Sequence, residues 1–380
     1  MTESRTSGAA AEARKGRPGA LVDAPADPLE MVQSFAERGW GDGLPVVPAT
    51  EERVTATLAY SDRDPLEVLG VMSPRQGEAT LHALAVNAVM AGCEPRYFPV
   101  VVAAIEAILD QRFNIASLNA TTHPVAMLVL VNGAIGRELR VHGGSGCFGP
   151  TFPANAAIGR AVRLVLLNVG GASPGVGDRA TQGTPAKFAF CAAENEEANP
   201  WSPYQTTQGF DANTSTVTVW GAEGPHNIND HDSNTGLDIL RTIAGAMGQS
   251  GSNNRGGGDP LLMLGPEHAA TIAADGLSRE DVQSYLFEHA RIRVGEMAPW
   301  ASRGVRGRLA AAGQEVTDEA VAAYRLQIAS SAQAIHIVVA GGPGKHSSWM
   351  PTFGGATEPV TVAIADRDGQ PLRSVRDLVR

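Results

Sequence analysis

Cysteine is scarce: Cys93, Cys147 and Cys191 are the only three in 380 residues. An odd number so widely spaced cannot build a fully paired disulfide scaffold, and no CxxC is present to suggest a zinc knuckle. A reducing, cytoplasmic compartment is the simplest expectation. Lysine is nearly missing, with Lys15, Lys187 and Lys345 the only three among 30 basic residues. Positive charge as a whole is in deficit, 30 basic against 40 acidic residues for a net charge of -10. That argues against broad contact with nucleic acid or anionic lipid, while leaving room for a local anion site. No run approaches the roughly 18 to 20 apolar residues that a bilayer span requires. The opening MTESRTSGAAAEARKGRPGA lacks the apolar core of a secretory signal and reads as a disordered tail. What remains is 43% apolar and 18% charged, the balance of a globular chain with a real core.

The patterning implies an α/β fold with a mixed sheet and flanking helices, arranged as two similar α/β subdomains. We expect a tail over 1–27, an N-terminal α/β domain with a wrapping arm over 28–240, and a C-terminal α/β domain over 241–380. EATLHALAVNAVMAG and RYFPVVVAAIEAILDQRF are the clearest helices, with Pro99 near the start of the second. Ser278 and Thr317 stand where N-caps belong. AMLVLV, TSTVTVWG and AIHIVVAGG are strand candidates that end in glycine, and the last two run into histidine-bearing polar loops. In α/β architectures ligands gather beyond the carboxyl ends of strands, so these loops are candidates for one site.

HGGSGCFGPTFPANAAIGRAVRLVLL is the sharpest cysteine context. Its glycines allow tight turning, and the following helix with Arg160 and Arg163 favours an anion or a thiolate at Cys147. GGPGKHSS is no P-loop, yet Lys345, His346 and Ser347 with backbone amides can cradle a carboxylate or phosphate. His123 precedes a strand and can face the same pocket. Glu194, directly after the apolar FAFCAA, is the best internal acid.

GPHNINDHDSN places His226 and His231 five residues apart with Asp230 between them. On a curved loop such a set can hold zinc, iron or manganese, completed by a distant Glu194 or His346. The bland alternative is an asparagine-rich hydrogen-bonded turn.

GWGDGLPVVPATEERV, GSGCFGPTFPANAAIGRAVRLVLLNVGG, GDRATQGTPAKFAFCAAENEEANPW and GPHNINDHDSN together resemble a poorly characterised bacterial family. The resemblance covers roughly residues 28–380. It implies association with a small cysteine- or selenocysteine-bearing protein that carries a GSC pattern, and hence a thiol or selenol protein partner. The fragment here is Gly144-Ser145-Gly146-Cys147, which is not that partner's motif, so no selenoprotein chemistry is carried over.

The expectation is a metal-dependent lyase or hydrolase for a small polar or anionic metabolite, expected to form a homo-oligomer. His226 and His231 would hold the metal. Glu194, Asp230 and Cys147 are the catalytic candidates, and His123, Arg160, Lys345, His346 and Ser347 the substrate-binding ones. Two other readings stand: a cysteine-dependent oxidoreductase or transferase centred on Cys147, and a non-catalytic ligand-binding assembly subunit.

Overall fold

The computed structural model describes residues 21–255 and 257–379. The first 20 residues of the tail expected over 1–27 lie outside them.

Eight strands build two four-stranded mixed sheets. In chain order they are β1 (Ala126–Asn132), β2 (Cys191–Ala193), β3 (Thr216–Ala222), β4 (His226–Asn229), β5 (Leu261–Leu264), β6 (His336–Val339), β7 (His346–Met350) and β8 (Val360–Ala363). The first sheet runs β2-β1-β3-β8 and the second β6-β5-β7-β4. Each begins with a parallel pair, β1 with β2 and β5 with β6. Each then adds two antiparallel neighbours, β3 and β8 in one, β7 and β4 in the other. The sheets therefore repeat one pattern, but each takes its last strand from the other half of the chain. The division expected between residues 240 and 241 does not coincide with the division between sheets. Gly224 and Pro225 make the break that sends β4 across, since neither suits continuation of a paired strand. Where β3 and β7 leave their sheets, Ala222 bridges to Thr352 and the Glu223 amide donates to the Pro351 carbonyl at 2.8 Å.

Alternation along the strands gives each sheet two buried faces. Leu128, Leu130 and Trp220 of the first sheet meet Leu261, Met263, Val338 and Met350 of the second in a layer between the sheets. Val129, Val131, Val217 and Val219 point the other way, onto helices α1 (Leu81–Ala91), α2 (Phe98–Leu109) and α3 (Pro153–Asn168). Leu262, Leu264, Ile337 and Val339 point outward onto α4 (Gly236–Met247), α5 (Pro266–Ala274) and α6 (Arg279–His289). The result is four layers, helix, sheet, sheet and helix, which is why the strands read as unbroken apolar runs.

Local chemistry sets the helix ends. Thr80 caps α1, which stops at Gly92 in the left-handed region (φ 85°), and Pro99 sits in the first turn of α2. Ser278 and Asp281 form a reciprocal capping box on α6, and Thr317 caps Asp318–Ala323, both as the sequence suggests. No helix among the described residues is long and apolar enough to cross a membrane.

Leu130 is fully buried between the sheets. Leu130→Ala is expected to cost about 2–5 kcal/mol in urea unfolding. A loss under about 1 kcal/mol would show that this layer is not close-packed.

Candidate functional site

Parallel pairing of β1 with β2 brings two chain segments out of the first sheet side by side. Asn132 closes β1, and Glu194 follows directly on β2. Glu194 is 5% exposed, and its carboxylate receives three N–H donors. Asn132 Nδ2 and the Tyr204 amide donate to Oε2 at 2.5 and 2.7 Å, and Asn199 Nδ2 donates to Oε1 at 2.8 Å. Burial pushes the Glu194 carboxyl up to about 7, opposed by the Tyr204 and Asn132 donors and by the Arg279 charge, with Glu196 adding to the rise. Beside it, Glu196 accepts from the Gly133 amide and pairs with Arg137, each at 2.5 Å. A cleft of about 130 Å³ opens here, walled by Gly133, Arg137, Gly143, Gly144, Glu194 and Glu196.

The glycine-rich cysteine loop forms the opposite wall. At Gly143 a Cβ would stand 2.5 Å from the Ala193 carbonyl, so only glycine lets the loop lie this close to β2. Asn155 pins the loop from α3: its Oδ1 accepts from the His142 amide at 2.7 Å, and its Nδ2 donates to the His142 and Cys147 carbonyls at 2.9 and 3.1 Å. Asn155 therefore serves the loop, while Phe152 occupies the N-cap position of α3. The third segment arrives from β6, where Gly341 donates to the Gly143 carbonyl at 2.8 Å and Gly342 packs under Ser145. Segments 142–149, 194–197 and 341–342 thus converge.

Cys147 is buried in the layer between the sheets, and desolvation pushes its thiol up to about 11. His142 stacks on Phe152 at 3.7 Å, and its Nε2 lies 3.0 Å from the Ser145 carbonyl. This environment favours the thiol and counts against a resting thiolate.

The histidine stretch is arranged differently from the expected curved loop. Residues 226–229 are strand β4, paired with β7 so that His226 faces Trp349 and Asn229 faces His346. An extended segment of four residues carries the chain about 10 Å, so His226 and His231 separate instead of closing on one ion. His226 Nε2 and His123 Nε2 each take one oxygen of Glu223, at 3.0 and 2.7 Å. His231 Nε2 instead lies 3.1 Å from His346 Nε2, and His346 Nδ1 lies 2.9 Å from Asn227 Oδ1. Among the described residues, no group of three or more His, Cys, Asp or Glu side chains can hold a metal ion. The expected zinc, iron or manganese site at His226 and His231 is therefore corrected. Around Glu223 the two Nε2 atoms meet separate carboxylate oxygens rather than a common point.

The remaining candidates also have other partners. Lys345 Nζ donates to the His231 and Ser233 carbonyls, both at 3.1 Å. Ser347 Oγ accepts from the Gly265 amide at 3.1 Å and lies 2.8 Å from His268 Nδ1. Asp230 accepts from the Ser233 amide and hydroxyl at 3.0 and 2.8 Å. Burial works to raise its pKa, but hydrogen bonds from Thr242 and Ser233 outweigh it and hold the carboxyl below its ordinary value. Arg160 grips Asp42 through both carboxylate oxygens, at 2.7 and 2.8 Å, and binds the Leu44 and Pro45 carbonyls, tying down the N-terminal arm.

Sequence reasoning passed over Asn132, Asn199, Tyr204 and Glu223. Glu223 carried the same signal as Glu194, an acid immediately after an apolar strand. No protein-family model, no curated protein and no solved structure matches this chain.

Two outcomes check this geometry. Chelator treatment is expected to leave Tm within about 1 °C, where loss of a tightly held structural ion would shift it by several degrees. Gly342→Ala is expected to destabilise by about 1–3 kcal/mol because the new methyl meets Ser145. Adding Ser145→Gly should recover most of that loss, and no recovery would mean that the loops do not meet there.

Proposed function

We propose that this protein is a metal-independent enzyme in which Glu194 is the general acid and base acting on a small polar molecule held in the adjoining cleft. The observation that carries the reading is a buried carboxylate, fixed by three N–H donors and bearing no hydrogen-bonded cation among the described residues, on the wall of a cleft beyond the carboxyl ends of β1 and β2. Site placement of this kind is the rule for α/β sheets. Oε2 accepts two hydrogen bonds and Oε1 accepts one, so Oε1 keeps a lone pair for an incoming proton. A carboxyl poised near neutrality takes a proton from one group and returns it to another with little energetic penalty in either direction.

Lyase and hydrolase chemistry both use such a step. In elimination, Glu194 removes a proton next to the leaving group. In hydrolysis, it takes the proton of the attacking water. Glu196 and Glu197 line the cleft against Arg137, the one cation among the described residues of its wall and itself paired with Glu196, so the electrostatics suit a neutral polar or cationic substrate better than an anionic one. Three unpaired, buried thiols suit a reducing compartment, and we place the protein in the cytoplasm.

Carboxyl ¹³C NMR is expected to show Glu194 titrating near 7, and a midpoint below about 5 would remove the basis for the role. The linkage to stability has a definite sign. The folded value lies above the ordinary 4.5, so between 4.5 and about 7 the folded state binds more protons than the unfolded state. Stability from this group is therefore present at acid pH and falls as pH rises through that window. Glu194→Gln should abolish this slope, and should lower turnover by about 10²–10⁴-fold for any substrate found in a screen of small polar metabolites. Full activity in Glu194→Gln would overturn the proposal.

A further inference from the structure

Two of the three N–H donors on Glu194 come from one short segment, residues 199–204, through Asn199 Nδ2 and the Tyr204 amide. Three contacts fasten that segment to the second half of the chain. Trp201 Nε1 donates to the Leu277 carbonyl at 3.1 Å, and the Tyr204 hydroxyl lies 2.8 Å from His336 Nδ1. Arg279, the first residue of α6, donates from Nη2 to the Ser202 carbonyl at 2.6 Å. Within the segment, Asn199 Oδ1 accepts from the Trp201 amide at 2.9 Å, which fixes the side chain that reaches Glu194. Its Nδ2 lies 2.8 Å from Glu194 Oε1 and 3.4 Å from the Ser202 carbonyl. One carbonyl and one side-chain amide therefore separate Arg279 from the Glu194 carboxylate.

Arg279 differs from the other buried cations. Lys187 and Arg163 crowd against Asp178, and Arg160 grips Asp42. Arg279 is 5% exposed, yet among the described residues no carboxylate pairs with it. Its Nε is buried without a hydrogen-bond partner, and its guanidinium stands 5.9 Å from the Trp201 ring centroid. A guanidinium does not shed its charge to escape such a place, so negative charge nearby has to offset the burial. Desolvation works to lower its pKa, and Glu194 is the strongest charge opposing that, ahead of Glu280 and Tyr204. Glu280 is exposed to solvent, which leaves Glu194 as the buried acid that answers Arg279.

The other titratable groups around Glu194 do not supply this charge. Glu196 and Glu197 are acids, and Arg137 is paired with Glu196. Tyr204 faces His336, whose Nε2 lies 3.8 Å from Asp259 Oδ1, and His142 is stacked on Phe152. We infer that Arg279 is a positioning residue for the Glu194 site: it holds the segment that delivers two of the three donors, and its buried charge favours the carboxylate over the carboxylic acid. Burial alone favours the neutral acid, which cannot take a proton, and Arg279 opposes it together with the donors that it steadies. The catalytic consequence rests on Glu194 being the acid and base, whereas the coupling of the two side chains does not.

Carboxyl ¹³C NMR of the full chain reads Glu194 directly in wild type, Arg279→Met and Arg279→Lys. Arg279→Met removes the charge and the bond to Ser202, and should raise the Glu194 midpoint by about 1 pH unit, roughly a tenfold gain in proton affinity. Arg279→Lys keeps the charge and should move the midpoint by less than about half as much. With a substrate in hand, the acid limb of the pH–rate profile should shift with the midpoint. An unchanged midpoint in Arg279→Met, or an equal shift in both variants, would each overturn the inference. A wild-type midpoint below about 5 removes instead the acid and base reading of Glu194, and the difference between variants still judges Arg279. Should Arg279→Met not fold, ¹⁵N NMR of the wild-type chain decides. The Arg279 Nε shift should titrate with the Glu194 midpoint and lose that step in Glu194→Gln. A flat response, or a step kept in Glu194→Gln, rejects the assignment.

Discussion

Apart from the edge strands β4 and β8, both sheets are buried on both faces, and most of the architecture follows from that demand. A strand with apolar residues on only one side could not sit between a helical layer and a second sheet without burying unpaired polar groups. Leu128 and Leu130 therefore alternate with Val129 and Val131, and every residue of Thr216–Ala222 is buried. Polar function is displaced to the places where strands end. Glu194 follows β2, Glu223 follows β3, and Gly341 follows β6. The cleft is thus a consequence of the double burial: it opens where the apolar layers stop and backbone N–H groups need partners.

This same pressure explains what the sequence revealed. AMLVLV, TVTVWGA and HIVV are legible as strands because two-sided burial demands continuous apolar or β-branched residues. Helices α1 and α2 announce themselves by length, composition and proline placement. β2 is only three residues long, and the apolar LLML of β5 is too short to tell from a helical segment by pattern. β4 is the instructive failure. HNIN has little strand character, and only its edge position beside β7 makes it extended. Read as a loop, it can gather two histidines around an ion. Held as a strand, it aims them at different neighbours.

Glu194 was legible because an acid immediately after an apolar element is costly to bury and needs a reason. Its supporting donors were not, because Asn132 and Tyr204 become its neighbours only through parallel pairing and a distant turn. Arg160, Lys345 and Ser347 illustrate a different limit. Polar side chains in a chain with many glycine- and proline-rich connections are first engaged by carbonyls, amides and the arm that they anchor. Residue type alone does not separate such structural duty from ligand binding. Lys187 was noticeable only as one of three lysines, and its crowding against Arg163 required the fold.

The exchange of edge strands has a consequence for how the chain is made. β3 emerges from the ribosome long before β8, its edge partner, and residues 223–359 must follow before Val360–Ala363 can pair. Until then the first sheet presents an unpaired edge with Val217 and Val219 beside it, the sort of surface that recruits other strands. The second sheet has no such interval, because β4 is already waiting when β7 arrives. Synthesis from N to C terminus therefore treats two nearly equivalent halves unequally, and the last made of the eight strands is the one that closes the first sheet.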